Sequence, residues 1–265
     1  MTQHPLDRLQ AVAIEAAKAA GELQLGFYDR PLHVDALHAH DLKLEIDRIC
    51  EHAILDIIQS EFPGHTILAE EGGTIENGSQ YIWIIDPLDG TVNFYNRIPF
   101  FCSCIACYYR EPGLSFPQIP LLGVVYAPVV DEIFVGIAGG GATCNGRSIQ
   151  VPFNPKLSEM VIGVSFGSTE PVMQYMERII SRLIRSCHKV RILGSCGLDI
   201  ANVACGRLGA LIQRGVRLWD FAASRIILQE AGGTFEAFEV DGGQWDILAC
   251  PPEMMNALKK VTHSA

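Results

Sequence analysis

Acidic side chains at Glu70-Glu71, at Asp86 and Asp89 in the run Asp86-Pro87-Leu88-Asp89-Gly90-Thr91, and at Asp220 after Trp219 constrain this chain more than any other feature. Each segment sits where an apolar run ends or begins, so the acids are expected at the ends of secondary-structure elements. Ligand-binding residues of α/β proteins gather at such strand ends. Carboxylates brought together resist ionising together. A divalent cation resolves that conflict, and all-oxygen donors favour Mg²⁺ or Mn²⁺ over zinc.

The middle segment is the most specific. Tyr81-Ile-Trp-Ile-Ile85 is short, apolar and rich in β-branched and aromatic residues, which predicts a buried strand ending at Asp86. Pro87 lacks a backbone donor and is expected to stop the ladder there. Leu88 offers a carbonyl oxygen, Gly90 permits close backbone approach, and Thr91 supplies a hydroxyl and a helix-start amide. An ordinary Asx turn would account for one Asp and one Gly. It leaves the second Asp, the Thr and the distant acids without a role.

Elsewhere, periodicity predicts an amphipathic helix over 5–28, with Leu6, Leu9, Ala13, Ala16, Ala17 and Ala20 near one face. A second is predicted over 43–60, with Leu44, Asp47, Ile54, Leu55 and Ile58 at helical spacing. By spacing alone, Asp47 is a half-exposed boundary position. His65–Ala69 reads as a strand leading to Glu70, and several strands fill 81–151. Ser195 is expected to cap a helix ending near Gly206. Asp220 is expected to open another, with Phe221, Ala222, Ala223, Ile226, Ile227 and Ala231 inward and Gly232 as terminator.

The residues Glu70-Glu71, Asp86-Pro87-Leu88-Asp89-Gly90-Thr91-Val92-Asn93-Phe94 and Trp219-Asp220-Phe221-Ala222-Ala223 resemble the two signature motifs of the inositol monophosphatase family. Asp41-Leu42 with Asp47, the glycine-rich run Gly139–Arg147, Gly194-Ser195-Cys196-Gly197 and Glu230-Ala231-Gly232-Gly233 follow in the family's order. The resemblance implies an α/β (α+β) fold, a layered αβαβα sandwich with mixed sheets. It also implies one domain over 1–265, with lobes of about 1–150 and 151–265, and a homodimer. The implied activity is a Mg²⁺-dependent, Li⁺-sensitive phosphomonoesterase that hydrolyses a small phosphorylated alcohol such as inositol monophosphate.

The same resemblance implies the residue roles. One ion is held by Glu70, Asp86 and the Leu88 carbonyl, and a second by Asp86, Asp89 and Asp220, with a third ion near Glu70; Mn²⁺ is a substitute. Two-metal sites activate water at one ion and stabilise the leaving oxygen at the other. Asp47, Thr91 and Glu70 are placed on the attacking water, and Glu71 behind the ligands as an orienter. Asp89, Gly90, Thr91, Gly194, Ser195, Cys196, Gln213 and Asp220 are placed against the substrate. Relatives selective for inositol carry an acidic pair where this chain has Gly209 and Gln213, and Cys196 replaces a usual Ala. A frequent Lys before Asp41 is absent, and Lys43 is expected to reach the same anionic space. Fructose bisphosphate, 3′-phosphoadenosine nucleotides, histidinol phosphate and NADP therefore stand as alternative substrates. A metal-binding dimeric scaffold with little catalysis is the alternative outside the enzyme class.

Composition sets the remaining bounds. A net charge of −10 argues against nucleic-acid polymers and anionic membranes as partners. No apolar run reaches a membrane span, and the N-terminus lacks a signal-peptide pattern. With nine cysteines, an odd number, reduced cytoplasmic thiols are expected. Cys102-x-Cys104-x-x-Cys107 hints at zinc, but strand alternation would put Cys107 on the opposite face. Gly163-Val-Ser165-Phe-Gly167 fits a nucleophile elbow, yet His263 is the one His far downstream, in a tail. The haloacid-dehalogenase signature needs its two acids two apart, and here they are three apart.

Overall fold

The computed structural model describes residues 6–30, 34–38, 41–111, 119–153, 156–167 and 169–263, with backbone alone at 34–38, 41–43, 241 and 263. Lys43 and His263 thus lie outside the described side chains. The N-terminal elements are α1 (Leu6–Tyr28), β1 (Val34–His38), β2 (Asp41–Leu44), α2 (Glu45–Glu61), β3 (Thr66–Ala69), β4 (Gly73–Ile75), β5 (Tyr81–Asp89), α3 (Thr91–Tyr95), β6 (Cys102–Tyr109), β7 (Ile119–Ala127), β8 (Glu132–Ile137), β9 (Gly141–Cys144) and β10 (Arg147–Ile149). There follow β11 (Val161–Phe166), α4 (Glu170–Ser186), β12 (Lys189–Arg191), α5 (Cys196–Ala204), β13 (Ala210–Val216), α6 (Leu218–Glu230), β14 (Thr234–Val240), β15 (Gln244–Cys250) and α7 (Met255–His263).

Two sheets carry the fold. One has eight strands in the order β10-β9-β8-β7-β6-β5-β3-β4, and the other five in the order β12-β11-β13-β15-β14. Both are mixed: β3 runs parallel to β5, and β11 parallel to β12 and β13, while the remaining pairs in these sheets are antiparallel.

Alternation along the strands sorts side chains into three cores. Trp83, Ile85, Ile105 and Val124 meet α1 and α2 on one face of the large sheet. Ile82, Ile84, Cys104 and Val125 meet α5 and α6 on the other face, and those helices also cover Leu211, Ile247 and Ala249 of the small sheet. The outer face of the small sheet packs Ile162, Val164 and Ile212 against Met176, Ile179 and Leu183 of α4 and Leu258 of α7. The layers are therefore helix, sheet, helix, sheet, helix, as the resemblance implied. Gly123 and Gly136 let α6 lie directly on β7 and β8. A Cβ on Gly123 would fall 2.2 Å from the Ala223 carbonyl oxygen, and one on Gly136 would fall 2.7 Å from Ile227 Cα.

Three local expectations are corrected. Strand β5 does not end at Asp86 but continues through Pro87 to Asp89. Asp86 pairs with Cys104 and Asp89 with Cys102, so β5 has one extra residue against β6, a bulge. Proline is tolerated at such a point because no ladder bond is required of it. Helix α6 starts at Leu218, and Asp220 occupies its third position, where its Oδ2 accepts from Arg217 N–H at 2.8 Å. Helix α2 likewise starts at Glu45, with Asp47 third and its Oδ2 accepting from Leu44 N–H at 2.7 Å.

Candidate metal and phosphate site

The bulge explains the spacing of the two aspartates. Residues three apart on a regular strand face opposite sides. The extra residue brings Asp89 onto the face of Asp86, toward Cys102 and Cys104. The Pro87 carbonyl is held in turn by Gln24 Nε2 at 2.8 Å and Ser103 Oγ at 3.2 Å. Gln24 is fully buried on α1, one turn beyond Ala20 on the helix's inward face.

Glu70 arrives beside them because β3 and β5 are parallel neighbours. Ala69 pairs with Ile85, and Glu70 N–H continues the ladder to the Ile85 carbonyl at 3.2 Å. Glu70 and Asp86 therefore leave adjacent strands at the same end. In the small sheet, Ser165 and Gln213 are register partners near the corresponding ends of β11 and β13. The ends of these strands face one cavity of about 140 Å³. Glu70, Asp86, Leu88, Asp89, Gly90, Thr91, Ser165, Gly194, Cys196, Gln213 and Asp220 line it.

Of the site residues singled out in the sequence, Asp47, Glu71, Ser195 and Gly209 are not among those that line it. Asp47 is buried at the start of α2. Ser195 departs from its expected part. It sits at the N-cap of α5, but its side chain makes no cap bond. Its hydroxyl instead donates to Asp89 Oδ2 at 2.6 Å. Asp89 performs the capping: Gly197 N–H donates to Oδ2 at 2.7 Å and Cys196 N–H to Oδ1 at 3.1 Å. A carboxylate from β5 thus satisfies the open amides of α5 and ties the two halves together. Asn93 adds a second tie, donating to the Phe100 and Leu193 carbonyls at 2.8 and 2.7 Å.

Electrostatics mark the same spot. Burial, then the charges of Glu70, Asp89 and Asp220, push the Asp86 carboxyl well above the usual range. Asp220 is raised likewise by burial, Glu70 and Asp89, against the Arg217 amide that lowers it. Asp89 is raised by burial despite the donors from Ser195, Gly197 and Cys196. Burial raises the Cys196 thiol, which these acids raise further. Such a set fits a hard divalent cation: oxygen donors hindered from ionising together become mutually compatible around positive charge. The Leu88 carbonyl accepts from Thr91 Oγ1 at 3.0 Å and keeps a second lone pair.

Sequence reasoning missed Glu51. Although only 3% exposed on α2, it accepts from Glu71 N–H at 2.9 Å and Gly72 N–H at 2.7 Å. Its grip fixes the turn that follows Glu70, an orienting task expected of Glu71. Glu51→Gln should weaken divalent-metal affinity by roughly 10–100-fold, the usual cost of losing an outer partner, while the fold persists. Metal titration followed by calorimetry checks this, and an unchanged affinity would leave Glu51 a purely structural clamp. Ser165 was visible in the sequence only as part of an elbow pattern. The structure puts it inside a strand, whereas the nucleophile of an elbow sits on the turn between strand and helix.

Gly209 does not line the cavity. A Cβ there would fall 2.8 Å from Met160 Cβ and Cγ, so a larger residue would displace Met160. Gln213 does line it, and its buried Oε1 has no hydrogen-bond partner among the described residues.

Known proteins resemble this chain in sequence and fold. A sequence profile of the inositol monophosphatase family matches residues 5–264. The chain is 36% identical over 250 residues to inositol monophosphatase 1 of Solanum lycopersicum, covering 91% of this chain and 88% of that protein. It is 35% identical over 232 residues to Nus factor SuhB of Escherichia coli K12, covering 86% and 84%. The solved inositol monophosphatase of Anabaena (Nostoc) superposes with a TM-score of 0.81 at 33% identity, covering 98% of this chain and 97% of that one. The profile spans both sheets and every cavity-lining residue; the chain belongs to the inositol monophosphatase family and is a phosphoric monoester hydrolase.

Proposed function

We propose that this chain is a Mg²⁺-dependent phosphomonoesterase whose substrate is a small phosphorylated polyol such as inositol monophosphate. The convergence of Glu70, Asp86, Asp89 and Asp220 on one cavity, opposite the unpartnered Gln213 Oε1, carries this reading. Glu70, Asp86 and the Leu88 carbonyl would hold one ion, and Asp86, Asp89 and Asp220 a second. Bound Mg²⁺ supplies positive charge for the phosphate and an acidified water. Li⁺ would compete at the second ion.

Thr91 and Asp47 are the groups assigned to orient that water. For this, the Thr91 hydroxyl turns from the Leu88 carbonyl, where it now donates. The amides of Gly90 and Thr91, which line the cavity, would hold the phosphate. Ser165 and Gln213 offer neutral hydrogen-bonding groups to hydroxyls of the leaving alcohol, with Gly194 and Cys196 forming the adjacent wall and Ser195 supporting it through Asp89. No helix among the described residues is long and apolar enough to cross a membrane. We place the enzyme in the cytoplasm as a homodimer.

Phosphate release tests the proposal. Metal-stripped protein should be inert toward a panel of inositol monophosphate, fructose bisphosphate, 3′-phosphoadenosine nucleotide, histidinol phosphate and NADP, and Mg²⁺ should restore turnover of inositol monophosphate. Dominance of another ester would reassign the substrate. Silence toward every ester with Mg²⁺ present would leave the chain a metal-binding scaffold.

A further inference from the structure

We propose that Cys102, Cys104 and Asp89 form a second, thiophilic metal site that binds Zn²⁺ or Cd²⁺ and overlaps the hydrolytic centre. The bulge in β5 sets Asp89 opposite Cys102, and alternation sets Cys104 beside it on the same face. The Cys102 and Cys104 sulfurs are 3.7 Å apart, and Cys102 Sγ lies 3.5 Å from Asp89 Oδ2. All three ligand atoms lie within 4.8 Å of one another. With Zn–S near 2.3 Å and Zn–O near 2.0 Å, a tetrahedral centre requires S···S edges of about 3.8 Å and S···O edges of about 3.5 Å. The two closest edges already match.

The packing of α5 against the three donors is a separate observation. A Cβ on Gly197 would fall 2.3 Å from Cys104 Sγ, 3.2 Å from Asp89 Oδ2 and 3.4 Å from Cys102 Sγ. A side chain at residue 197 would collide with these donors, so glycine lets the first turn of α5 rest directly against all three. Cys107, the third cysteine of the run, faces the opposite core and takes no part.

Binding breaks each S–H bond, sends the proton to solvent and donates the sulfur pair to the metal, with no change of oxidation state. Two thiolates and one carboxylate suit a borderline-soft ion and are poor donors for Mg²⁺. The soft ion should also inhibit turnover, an effect that rests on the proposed hydrolytic role of Asp89: engaging its Oδ2 withdraws it from Mg²⁺ and disturbs its bonds to Ser195 and Gly197.

The test titrates Cd²⁺ into Mg²⁺-saturated protein and follows the cadmium–thiolate charge-transfer absorbance. Wild type and Cys107→Ala should bind alike, one ion at this site. Cys102→Ser and Cys104→Ala should each lose affinity beyond the roughly 10–100-fold that outer partners cost. Should either variant fail to fold, zinc K-edge absorption on wild type decides the matter through a shell of two sulfurs. A sulfur-free shell, or cadmium absorbance untouched in both folded variants, overturns the site. Cd²⁺ bound here without loss of turnover supports the site and removes Asp89 from the hydrolytic centre.

Discussion

Asp89→Asn is expected to lower kcat by more than about 100-fold, beyond the usual loss for an outer-shell change, and to shift the Mg²⁺ midpoint upward. The wild-type carboxylate receives the Ser195 hydroxyl and the Gly197 amide on one oxygen and the Cys196 amide on the other. A carboxamide has one acceptor oxygen and turns an NH₂ group toward whichever donors remain. Each donor left unmatched in this buried place costs about 1–3 kcal/mol. The melting temperature should therefore fall as well, by about 2–4 °C per kcal/mol for a chain of this size.

The two effects separate the two jobs. A carboxylate that merely caps α5 would lower the melting temperature and leave kcat of the folded fraction intact. A metal ligand loses turnover and Mg²⁺ affinity even well below the melting transition. Steady-state kinetics against Mg²⁺ concentration, beside a thermal melt, measures both. Wild-type kcat and an unshifted Mg²⁺ midpoint would strike Asp89 from the hydrolytic centre.

Helical periodicity made α1 readable: Leu9, Ala13, Ala16, Ala17 and Ala20 are all buried as expected, and only Leu6 at the frayed start is exposed. The inward face of α6 was equally plain. The layering and the meeting of the distant acids were legible through the family resemblance, since local pattern does not say which strand ends become neighbours.

Other features resisted for physical reasons. Asp86 and Asp89 are three apart, a spacing that in a straight strand puts them on opposite faces, and the bulge is a pairing property that only β6 defines. Glu51 looks like a solvated helix residue because its two partner amides lie twenty and twenty-one positions downstream. Ser195 has the side chain of a cap, but a buried carboxylate from another element outcompetes it for the same amides. In each case tertiary contact overrode a sound local preference.

Removing divalent metal should make the protein less stable as pH rises from about 5 to about 8, the reverse of ordinary acid destabilisation. The sign follows from proton counts. Asp86, Asp89 and Asp220 have folded pKa values above the ordinary carboxylate value, each raised first by burial. Asp199, fully buried on α5, is pushed up to about 8 by burial and then by Asp89, and neither of its oxygens has a hydrogen-bond partner among the described residues. Between the unfolded value near 3.9 and these raised values, the native state binds more protons than the unfolded one. Stability is therefore greatest at the acidic side and declines through the window, by up to about 1.4 kcal/mol per unit of displacement for each group. Carboxylates held low by arginine, such as Glu76 beside Arg110 and Glu132 beside Arg207, change charge below this window and do not reverse the trend.

In EDTA the melting temperature should drop on the order of 10 °C across that range. Mg²⁺ should restore most of it at the alkaline end and little at the acidic end, because the ion binds the ionised aspartates and competes with their protons. Asp199→Asn separates its own share: the variant should show a shallower decline in EDTA and retain the Mg²⁺ response, since that response belongs to the cavity aspartates. A melting temperature that is flat or rising with pH in EDTA would mean that the acids are already compatible without a cation, and the case for a metal centre would fail on thermodynamic grounds.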